Sequence, residues 1–329
     1  MSFEIPLHLD DETRAPFVAP DVSRGTALVV GNFDGVHVGH QGLLTRAVAE
    51  AEAHRLVPVA LTFDPHPSVV LGRNPPGTLT TLARKAELLA RLGAAHVFVR
   101  RFDRSFSTWS PERFVEELLV GDLGAKVVVS GNNFRFGKDR AGDREVLARL
   151  GERFGFIAIA SEAKDDRGPL SSSRARDAIL VGDLAAAESI LGRRHALEGP
   201  VLKGDQRGRT LGFPTANVDP TGLVLPPNGV YAVVVDRVTE AGPRALAAGV
   251  MNVGVRPTVG AAGARTVEVH LFDVAPDLYG QTLRVHVVRK LRDERRFSGL
   301  DALKAQIALD AAEARIATAA LTPRGEAYA

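Results

Sequence analysis

A ten-residue turn, residues 31–40, limits the fold of this chain more than any other segment; it reads GNFDGVHVGH. It follows the short apolar run 27–30 and precedes a helical pattern that starts near Gln41. A strand, a glycine-rich turn and a helix in this order place backbone N–H groups and the positive end of a helix dipole where a phosphate can bind. The segment therefore predicts a nucleotide site at the end of a strand in an α/β domain.

The turn carries three glycines and two imidazoles. Gly35 and Gly39 permit a close approach of the backbone to a triphosphate, while His37 and His40, three residues apart, share one helix face. The segment has neither the dinucleotide-binding glycine pattern nor the P-loop lysine. Two surface histidines or a metal site are the alternatives, but no third ligand stands at zinc-like spacing nearby. We predict nucleotide contacts from Gly31, Phe33, Asp34 and Gly39.

Composition limits the class of protein. With 329 residues the chain is long for one core, so two domains are expected. Cysteine is absent, which excludes disulfides, thiolate metal sites and a cysteine nucleophile. The formal charge is only +2 and basic residues are scattered, so no nucleic-acid partner is expected. Without an apolar run of about 18 residues we expect a cytoplasmic protein with no membrane anchor, and nothing in the sequence indicates an oligomeric state.

The first domain, residues 25–190, alternates short β-branched runs with amphipathic helical patterns, which is typical of an α/β doubly wound parallel sheet. Strands are predicted at 27–30, 57–63, 96–101, 126–130 and 156–160. Helices are predicted at 41–54, 82–92, 111–119 and 143–154, and residues 1–24 are expected to be an irregular lead-in. Ligands bind such sheets at the carboxyl ends of the strands, so polar residues there are site candidates.

Two other strand ends carry such residues. Asp64 and His66 follow the second predicted strand in a DPHP loop, where the prolines hold the chain extended and present both side chains near the site. Asn133 follows the fourth predicted strand in a GNNFRFG loop. Phe134 and Phe136 of that loop could line the site or could equally belong to the core.

Residues 171–176, SSSRAR, start a further helical pattern. Hydroxyl groups at a helix start, with Arg176 in the first turn, make a second place to hold phosphate. The alternative is a well-capped helix without a ligand. Ser172, Ser173 and Arg176 are the candidates.

These motifs together resemble one family. GNFDGVHVGHQ, TFDPHP, GNNFRFG and SSSRAR occur in the order expected of the FMN adenylyltransferase module of bacterial bifunctional riboflavin kinase/FAD synthetases, over about 26–185. Asn132 and Ser173 depart from the residues common in that family. The resemblance implies that His37 and His40 are catalytic, binding ATP phosphates and stabilising charge on the α-phosphate and on pyrophosphate. It makes Asn133, Asp64 and His66 candidates for flavin contact, the last two alternatively positioning ATP or its metal.

Beyond residue 191 the pattern becomes all-β, and residues 191–329 form the second predicted domain. Strands separated by Gly/Pro-rich turns are predicted at 195–201, 229–236, 245–253, 266–272 and 282–291. This spacing predicts a small antiparallel β-barrel over 195–291. A C-terminal helix is predicted over about 300–319, with apolar Leu303, Ile307 and Ile316 and with Ser298 or Asp301 as its cap.

Residues 204–217, GDQRGRTLGFPTAN, carry the chemistry of this half. The regularly spaced glycines with interleaved Arg and Thr are typical of a mobile backbone flap around phosphates. Thr215 and Asn217 would face the same side of a strand and could both ligate Mg²⁺ through oxygen. A glycine-rich hairpin with a terminal Asn turn is the alternative. We predict nucleotide contacts from Gly204, Gly208, Gly212 and Thr215.

The same segment, with residues 228–231, 251–258 and 267–273, resembles the riboflavin kinase module of that family over about 195–290. The resemblance implies that Thr215 and Asn217 help to hold Mg-ATP and that Glu268 is the base facing the riboflavin 5′-hydroxyl. Glu268 is a lone carboxylate in an apolar strand, which is also compatible with a solvent-facing side chain. Asn252 and Arg256 are the candidates for flavin contact here.

The resemblance implies two ATP-dependent reactions that need Mg²⁺. Riboflavin is phosphorylated to FMN by the C-terminal module, and FMN is adenylylated to FAD by the N-terminal module with release of pyrophosphate. Two alternatives stay open: an enzyme with only one active site, and a flavin-binding regulatory protein. A regulator would be expected to carry a helix-turn-helix or a basic recognition stripe, and the sequence contains neither.

Overall fold

The computed structural model describes residues 7–9, 24–72, 77–161, 164–165, 168–203, 213–255, 265–274, 277–323 and 327–328. These residues form two compact units. Residues up to Gly72 and from Leu82 to Ser171 form the first unit, whereas Gly77–Thr81 and the residues from Ser172 onward form the second. The domain boundary predicted at about residue 190 thus falls inside the second unit and stays a prediction.

The first unit contains one parallel sheet. Its strands are β1 (Leu7–Leu9), β2 (Thr26–Val30), β3 (Val57–Asp64), β4 (His96–Arg101), β5 (Ala125–Gly131) and β6 (Ile157–Ser161). They lie in the order β1-β4-β3-β2-β5-β6. The helices are α1 (Val38–His54), α2 (Pro67–Val70), α3 (Leu82–Arg91), α4 (Pro111–Arg113, continued by a π-helix over Phe114–Asp122) and α5 (Arg144–Phe154). A short hairpin follows, formed by β7 (Lys164–Asp165) and β8 (Gly168–Pro169).

The predicted doubly wound parallel sheet is confirmed, with one strand more than expected. Leu7–Leu9 lies in the segment predicted to be irregular and pairs in parallel with β4. Three residues are too few to show a period of two, which is why the sequence pattern missed this strand. α1 begins at Val38 rather than near Gln41, because His37 serves as its N-cap. Both histidines of the turn therefore belong to the start of the helix.

Both faces of the sheet are buried, as is usual for parallel strands. In β2, Leu28 and Val30 belong to a cluster with residues of α4 and α5. Ala27 and Val29 face the other way and pack with residues of α1 and α3. Since helices cover both faces, the carboxyl ends of the strands are left as the place for a ligand.

The second unit is a closed antiparallel barrel with three helices. Its strands are β9 (Ala196–Leu202), β10 (Ala216–Val218), β11 (Gly229–Thr239), β12 (Gly242–Val255), β13 (Arg265–Leu271) and β14 (Thr282–Arg292), in the barrel order β10-β13-β12-β11-β14-β9. α6 (Ser172–Val181) and α7 (Leu184–Leu191) precede the barrel, and α8 (Leu300–Thr318) follows it. Apolar side chains from all six strands fill the interior. The predicted small barrel with a C-terminal helix is confirmed.

The start and the packed face of α8 differ from the sequence prediction. Gly299 occupies the N-cap without a side-chain hydrogen bond, so the predicted caps Ser298 and Asp301 are wrong. Ile316 is 77% exposed, whereas Asp310 is buried. Asp310 is buried because its carboxylate accepts hydrogen bonds from the arginine that ends β14, at 2.8–3.0 Å. A buried ion pair breaks the apolar stripe on which the prediction depended.

Candidate active sites

The turn after β2 has an unusual backbone. Phe33, Gly35 and Val36 have positive φ angles of 48°, 78° and 39°. For a β-branched residue such as Val36 this conformation is strained by about 1–3 kcal/mol and persists only where the surroundings enforce it. Gln41 contributes to this restraint, because its side-chain amide donates to Val36 O at 3.0 Å. Asp34 is buried within the turn, so the loop at the carboxyl end of β2 has a fixed shape.

His37 and His40 are brought together at the first turn of α1. Nδ1 of His37 accepts the backbone N–H of His40 at 3.4 Å, and the two rings stack with 3.6 Å between their centroids. Phe33 contacts the His40 ring edge-on at 5.2 Å. Nδ1 of His40 is buried, and it has no hydrogen-bond partner among the residues that the structure describes. A buried ring nitrogen of this kind is expected to find its partner in a ligand or in water.

Burial, together with the neighbouring His37 and Lys85, lowers the pKa of His40 well below its ordinary value. The His40 ring is therefore neutral at physiological pH and carries a single N–H donor. With His40 neutral the two rings can stack closely, because two imidazolium ions at this separation would repel each other.

The low pKa of His40 predicts a pH-dependent stability of the first unit. As the pH falls below about 6.5, the unfolded chain takes up a proton that the folded chain does not yet bind, so the free energy of unfolding decreases. Denaturant titration at neutral and mildly acidic pH measures this, with fluorescence of Trp109, the single tryptophan, as the probe. His40→Gln should reduce the decrease, because it removes the group that takes up the proton. An unchanged decrease in His40→Gln would contradict the expectation.

Asp64 and His66 lie at the end of β3, beside β2 in the sheet. Nδ1 of His66 accepts the backbone N–H of Ser68 at 3.3 Å and caps α2. Its Nε2 lies 3.4 Å from Nδ2 of Asn32 in the turn after β2. The ends of the two strands are thus linked through His66, while Asp64 is exposed. The flavin or ATP contacts assigned to these two residues stay predictions.

In the loop after β5, the aromatic residues are buried or half-buried, whereas the polar Asn133 is exposed. Phe136 is buried in the core, and Phe134 is half-buried and stacks on it at 5.3 Å. The core interpretation is therefore confirmed for Phe136. Asn133 is exposed in the same loop, and β5 neighbours β2 in the sheet. Its predicted contact with flavin remains a prediction.

Ser172, Ser173 and Arg176 begin α6 and belong to the second unit. Arg176 is buried, and its Nε donates to the carbonyl oxygen of Gly77 at 2.8 Å. The guanidinium thus holds the segment Gly77–Thr81 within this unit. The predicted phosphate contacts of these three residues stay predictions.

Three polar side chains form a row on the outer surface of the barrel. Asn217 of β10 pairs in register with Glu268 of β13, which in turn pairs with Asn252 of β12. Val267 and Val269 point into the barrel core, so Glu268 between them points outward, and the same alternation applies to the two asparagines. Directly opposed residues have Cβ atoms about 4.5–5.5 Å apart. All three are half-buried, so one carboxylate and two amides lie together in a partly enclosed place.

Thr215 and His270 lie next to this row. Thr215 precedes β10 and falls on the same side as Asn217 by alternation. His270 follows Glu268 on the same face of β13, and its Nδ1 donates to Pro214 O at 2.8 Å. His270 therefore anchors the segment that carries Thr215. The sequence motifs assign His270 no role, although the period of two in β13 places it on the same face as Glu268.

Four candidates, Gly204, Gly208, Gly212 and Arg256, lie outside the described residues. Within the part of the chain that the structure describes, no group of three or more His, Asp or Glu side chains is placed to hold a metal ion. The magnesium ligands predicted from sequence, Thr215 and Asn217, are a hydroxyl and an amide and so fall outside that kind of group. Their role stays a prediction.

Comparisons with known proteins agree with this architecture. A family model described as FAD synthetase matches residues 19–174, and one described as riboflavin kinase matches residues 191–318. The bifunctional riboflavin kinase/FMN adenylyltransferase of Escherichia coli strain K12 is 43% identical over 88% of this chain and 92% of its own length. That of Bacillus subtilis strain 168 is 35% identical over 94% of this chain and 95% of its own length.

A solved structure from Streptococcus pneumoniae, described as a macrolide-efflux protein, is also similar. It is 30% identical, has a TM-score of 0.76 and covers 89% of this chain and 93% of its own. Across the described ranges of the present chain, no helix is both long enough and apolar enough to span a membrane.

The fold and the two sites define a class of protein, a nucleotidyltransferase sheet domain followed by a kinase barrel. Within this class the chain belongs to the bifunctional riboflavin kinase/FMN adenylyltransferase family. It is a transferase with two modules, an N-terminal FMN adenylyltransferase and a C-terminal riboflavin kinase.

Proposed function

We propose that His37 and His40 perform the adenylyl transfer of the N-terminal module. The observation that carries this assignment is the stacked pair at the first turn of α1, in which the buried Nδ1 of His40 has no hydrogen-bond partner among the described residues. The FMN phosphate is already an anionic nucleophile, so its attack on the α-phosphorus of ATP needs no base. The site has to align the two phosphates and stabilise the charge that builds on pyrophosphate. The imidazoles and the helix N-terminus supply this stabilisation.

In the C-terminal module, Glu268 acts on the riboflavin 5′-hydroxyl. Its carboxylate orients the hydroxyl or removes its proton as the oxygen attacks the γ-phosphorus of ATP in line, which gives FMN and ADP. The row Asn217–Glu268–Asn252 supports this role, because it holds the carboxylate between two amides on the outer surface of the barrel. Asn252, with Arg256, is assigned to the flavin.

Mg²⁺ is proposed as the metal of the kinase reaction. Thr215 offers a hydroxyl oxygen and Asn217 an amide oxygen, and both are half-buried beside the carboxylate of Glu268. Such neutral and anionic oxygens suit Mg²⁺, which keeps several waters and is shared with the phosphates of its substrate. The ion would neutralise charge on the transferred phosphoryl group. Since the substrate ATP is an intracellular metabolite, we also propose a cytoplasmic location.

Asn217→Ala is expected to raise the Mg²⁺ concentration needed for half-maximal FMN production by about tenfold or more, because one oxygen ligand is lost. A titration of kinase rate against Mg²⁺ measures this. FMN adenylylation in the same sample is the internal control and should keep its wild-type dependence on the ion. An unchanged titration for the kinase would remove Asn217 from the proposed metal site.

Product analysis tests the proposed function as a whole. The purified chain is incubated with ATP, Mg²⁺ and either riboflavin or FMN, and flavins are separated by chromatography. We expect FMN and then FAD from riboflavin, and FAD from FMN. Riboflavin that stops at FMN, with supplied FMN unchanged, would refute the adenylyl-transfer site; FAD from FMN alone would refute the kinase site.

A further inference from the structure

Lys85 is buried on α3, a position where a charged side chain is unusual. Leu82, Ala86 and Leu89 mark the face of α3 that packs toward the sheet, and Lys85 falls on this face by helical spacing. Its side chain is only 8% exposed. Lysine side chains are almost never this buried unless an opposite charge or a hydrogen-bond acceptor pairs with the ammonium group. No role for this residue followed from the motifs of the sequence.

Two hydrogen bonds in series connect Lys85 to the turn that carries His37 and His40. Its Nζ donates to Thr62 Oγ1 at 3.5 Å, and the Thr62 hydroxyl donates to Asn32 O at 3.1 Å. Asn32 lies directly before Phe33, whose ring contacts His40. Only one hydroxyl therefore separates the ammonium group from the backbone of this turn.

Charged groups of four elements face one another here. Burial lowers the pKa of Lys85, and the carboxylates of Asp34 in the turn and Asp64 at the end of β3 oppose this. Burial lowers the pKa of His40 most, followed by the charges of His37 and then Lys85. The ammonium group and the imidazole pair are thus coupled through space, while two carboxylates balance the cation.

We propose that Lys85 is a positioning residue of the adenylyl-transfer site, whose buried ammonium group holds the turn through Thr62 and disfavours a second cation beside it, so that His40 stays stacked on His37 until nucleotide phosphates bind. The phosphates of ATP bring negative charge that offsets the cation. The His37–His40 pair is then already in place when charge develops on pyrophosphate. No free energy is needed to overcome repulsion between two positively charged rings. This inference rests on the proposed role of His37 and His40.

Two neutral substitutions in the full-length chain separate charge from contact. Lys85→Gln retains a hydrogen-bond donor toward Thr62 without the charge, and Lys85→Met removes both. Three quantities are measured: kcat/KM for ATP in FAD formation from FMN, the pKa of His40 from NMR titration, and the unfolding of the first unit from Trp109 fluorescence. The His40 signal is assigned by its loss in His40→Gln. The riboflavin kinase activity of each sample shows whether the C-terminal module is intact.

We expect both variants to lower kcat/KM for ATP by about 10- to 100-fold, since a nearby fixed charge is lost. Both should raise the pKa of His40 and shift the acidic limb of the pH–rate profile to higher pH. Lys85→Met should unfold no more readily than the wild type, because the protein disfavours this ammonium group relative to water. A residue kept only for packing would leave both kcat/KM for ATP and the pKa of His40 unchanged in Lys85→Met, because Met fills a similar volume.

Arg84→Met is the matched control. Arg84 is the neighbouring buried cation on α3, but its charge is paired with Glu87 at 2.7 Å, so its loss should leave the pKa of His40 and the adenylylation rate near wild type. A wild-type rate in Lys85→Gln, or an unchanged pKa of His40 in both Lys85 variants, would overturn the proposal. If His37→Ala and His40→Ala also left FAD formation intact, the proposed function of the site would fail as well. Loss in the histidine variants alone would reject only the role of Lys85.

Discussion

Replacing either His37 or His40 by alanine is expected to lower FAD formation from supplied FMN by about 100- to 1000-fold, or about 3–4 kcal/mol of transition-state stabilisation. Each imidazole is held by the other: His37 caps the helix and accepts the N–H of His40, and the rings stack at 3.6 Å. Steady-state rates of FAD and pyrophosphate formation measure the effect. Riboflavin phosphorylation in the same samples should stay within about twofold of wild type, because each module has its own core.

The double variant distinguishes a cooperating pair from two separate contacts. Because the rings touch, the two losses should not add, and the double variant should be little slower than the worse single one. His54→Ala removes a histidine from the exposed end of the same helix and should have no effect. Rates near wild type in both single variants would show that the stacked histidines of the turn have no part in adenylyl transfer.

Much of the fold could be predicted from periodicity. The apolar runs that form β2 to β6 are long enough to indicate strands buried on both faces. The helices between them begin at recognisable N-cap residues, such as Asp143 at the start of α5. The three-residue strand Leu7–Leu9 was missed because it is held by pairing with β4, which leaves no local signal. Ile316 was misassigned for a related reason: a buried ion pair, not an apolar stripe, fixes the rotation of α8.

The residues proposed for adenylyl transfer could be predicted from the sequence where they lie close together in the chain. His37 and His40 could be paired by helical spacing alone, and their stacking follows from it. Lys85 could not be placed with them, since 45 residues separate it from His40 and only the packing of α3 brings its charge close. A lysine on the apolar face of a helix was nevertheless a visible anomaly of the pattern.

The row formed by Asn217, Glu268 and Asn252 shows more clearly what a sequence pattern cannot predict. Alternation predicts that Glu268 faces away from the barrel core, but it cannot predict which residues of other strands lie beside it. That depends on register, and a shift of one residue would turn every side chain to the other face. The pairing of Glu268 with Asn217 on one side and Asn252 on the other becomes known only from the closed barrel. The roles of the predicted site residues stay predictions, and their arrangement could be known only from the tertiary structure.

Glu268→Gln is expected to lower FMN production by about 100- to 10,000-fold, the range typical of a lost general base. The substitution keeps the size and the hydrogen-bonding reach of the side chain but removes the charge that accepts the hydroxyl proton. Burial and register of β13 should be unaffected, because Val267 and Val269 still fill the barrel core. Initial rates of FMN and ADP formation from riboflavin, followed over pH, measure the change.

The same sample provides the decisive comparison. FAD formation from supplied FMN should stay at the wild-type rate in Glu268→Gln, the reverse of the pattern expected for the histidine variants. Glu240→Gln is the matched control, because Glu240 is exposed in the turn between β11 and β12 of the same barrel. A base acting through its carboxylate also requires that the acidic limb of the kcat profile disappear in Glu268→Gln. If kcat falls less than about tenfold and the limb persists, Glu268 orients the flavin hydroxyl through hydrogen bonding and does not accept its proton.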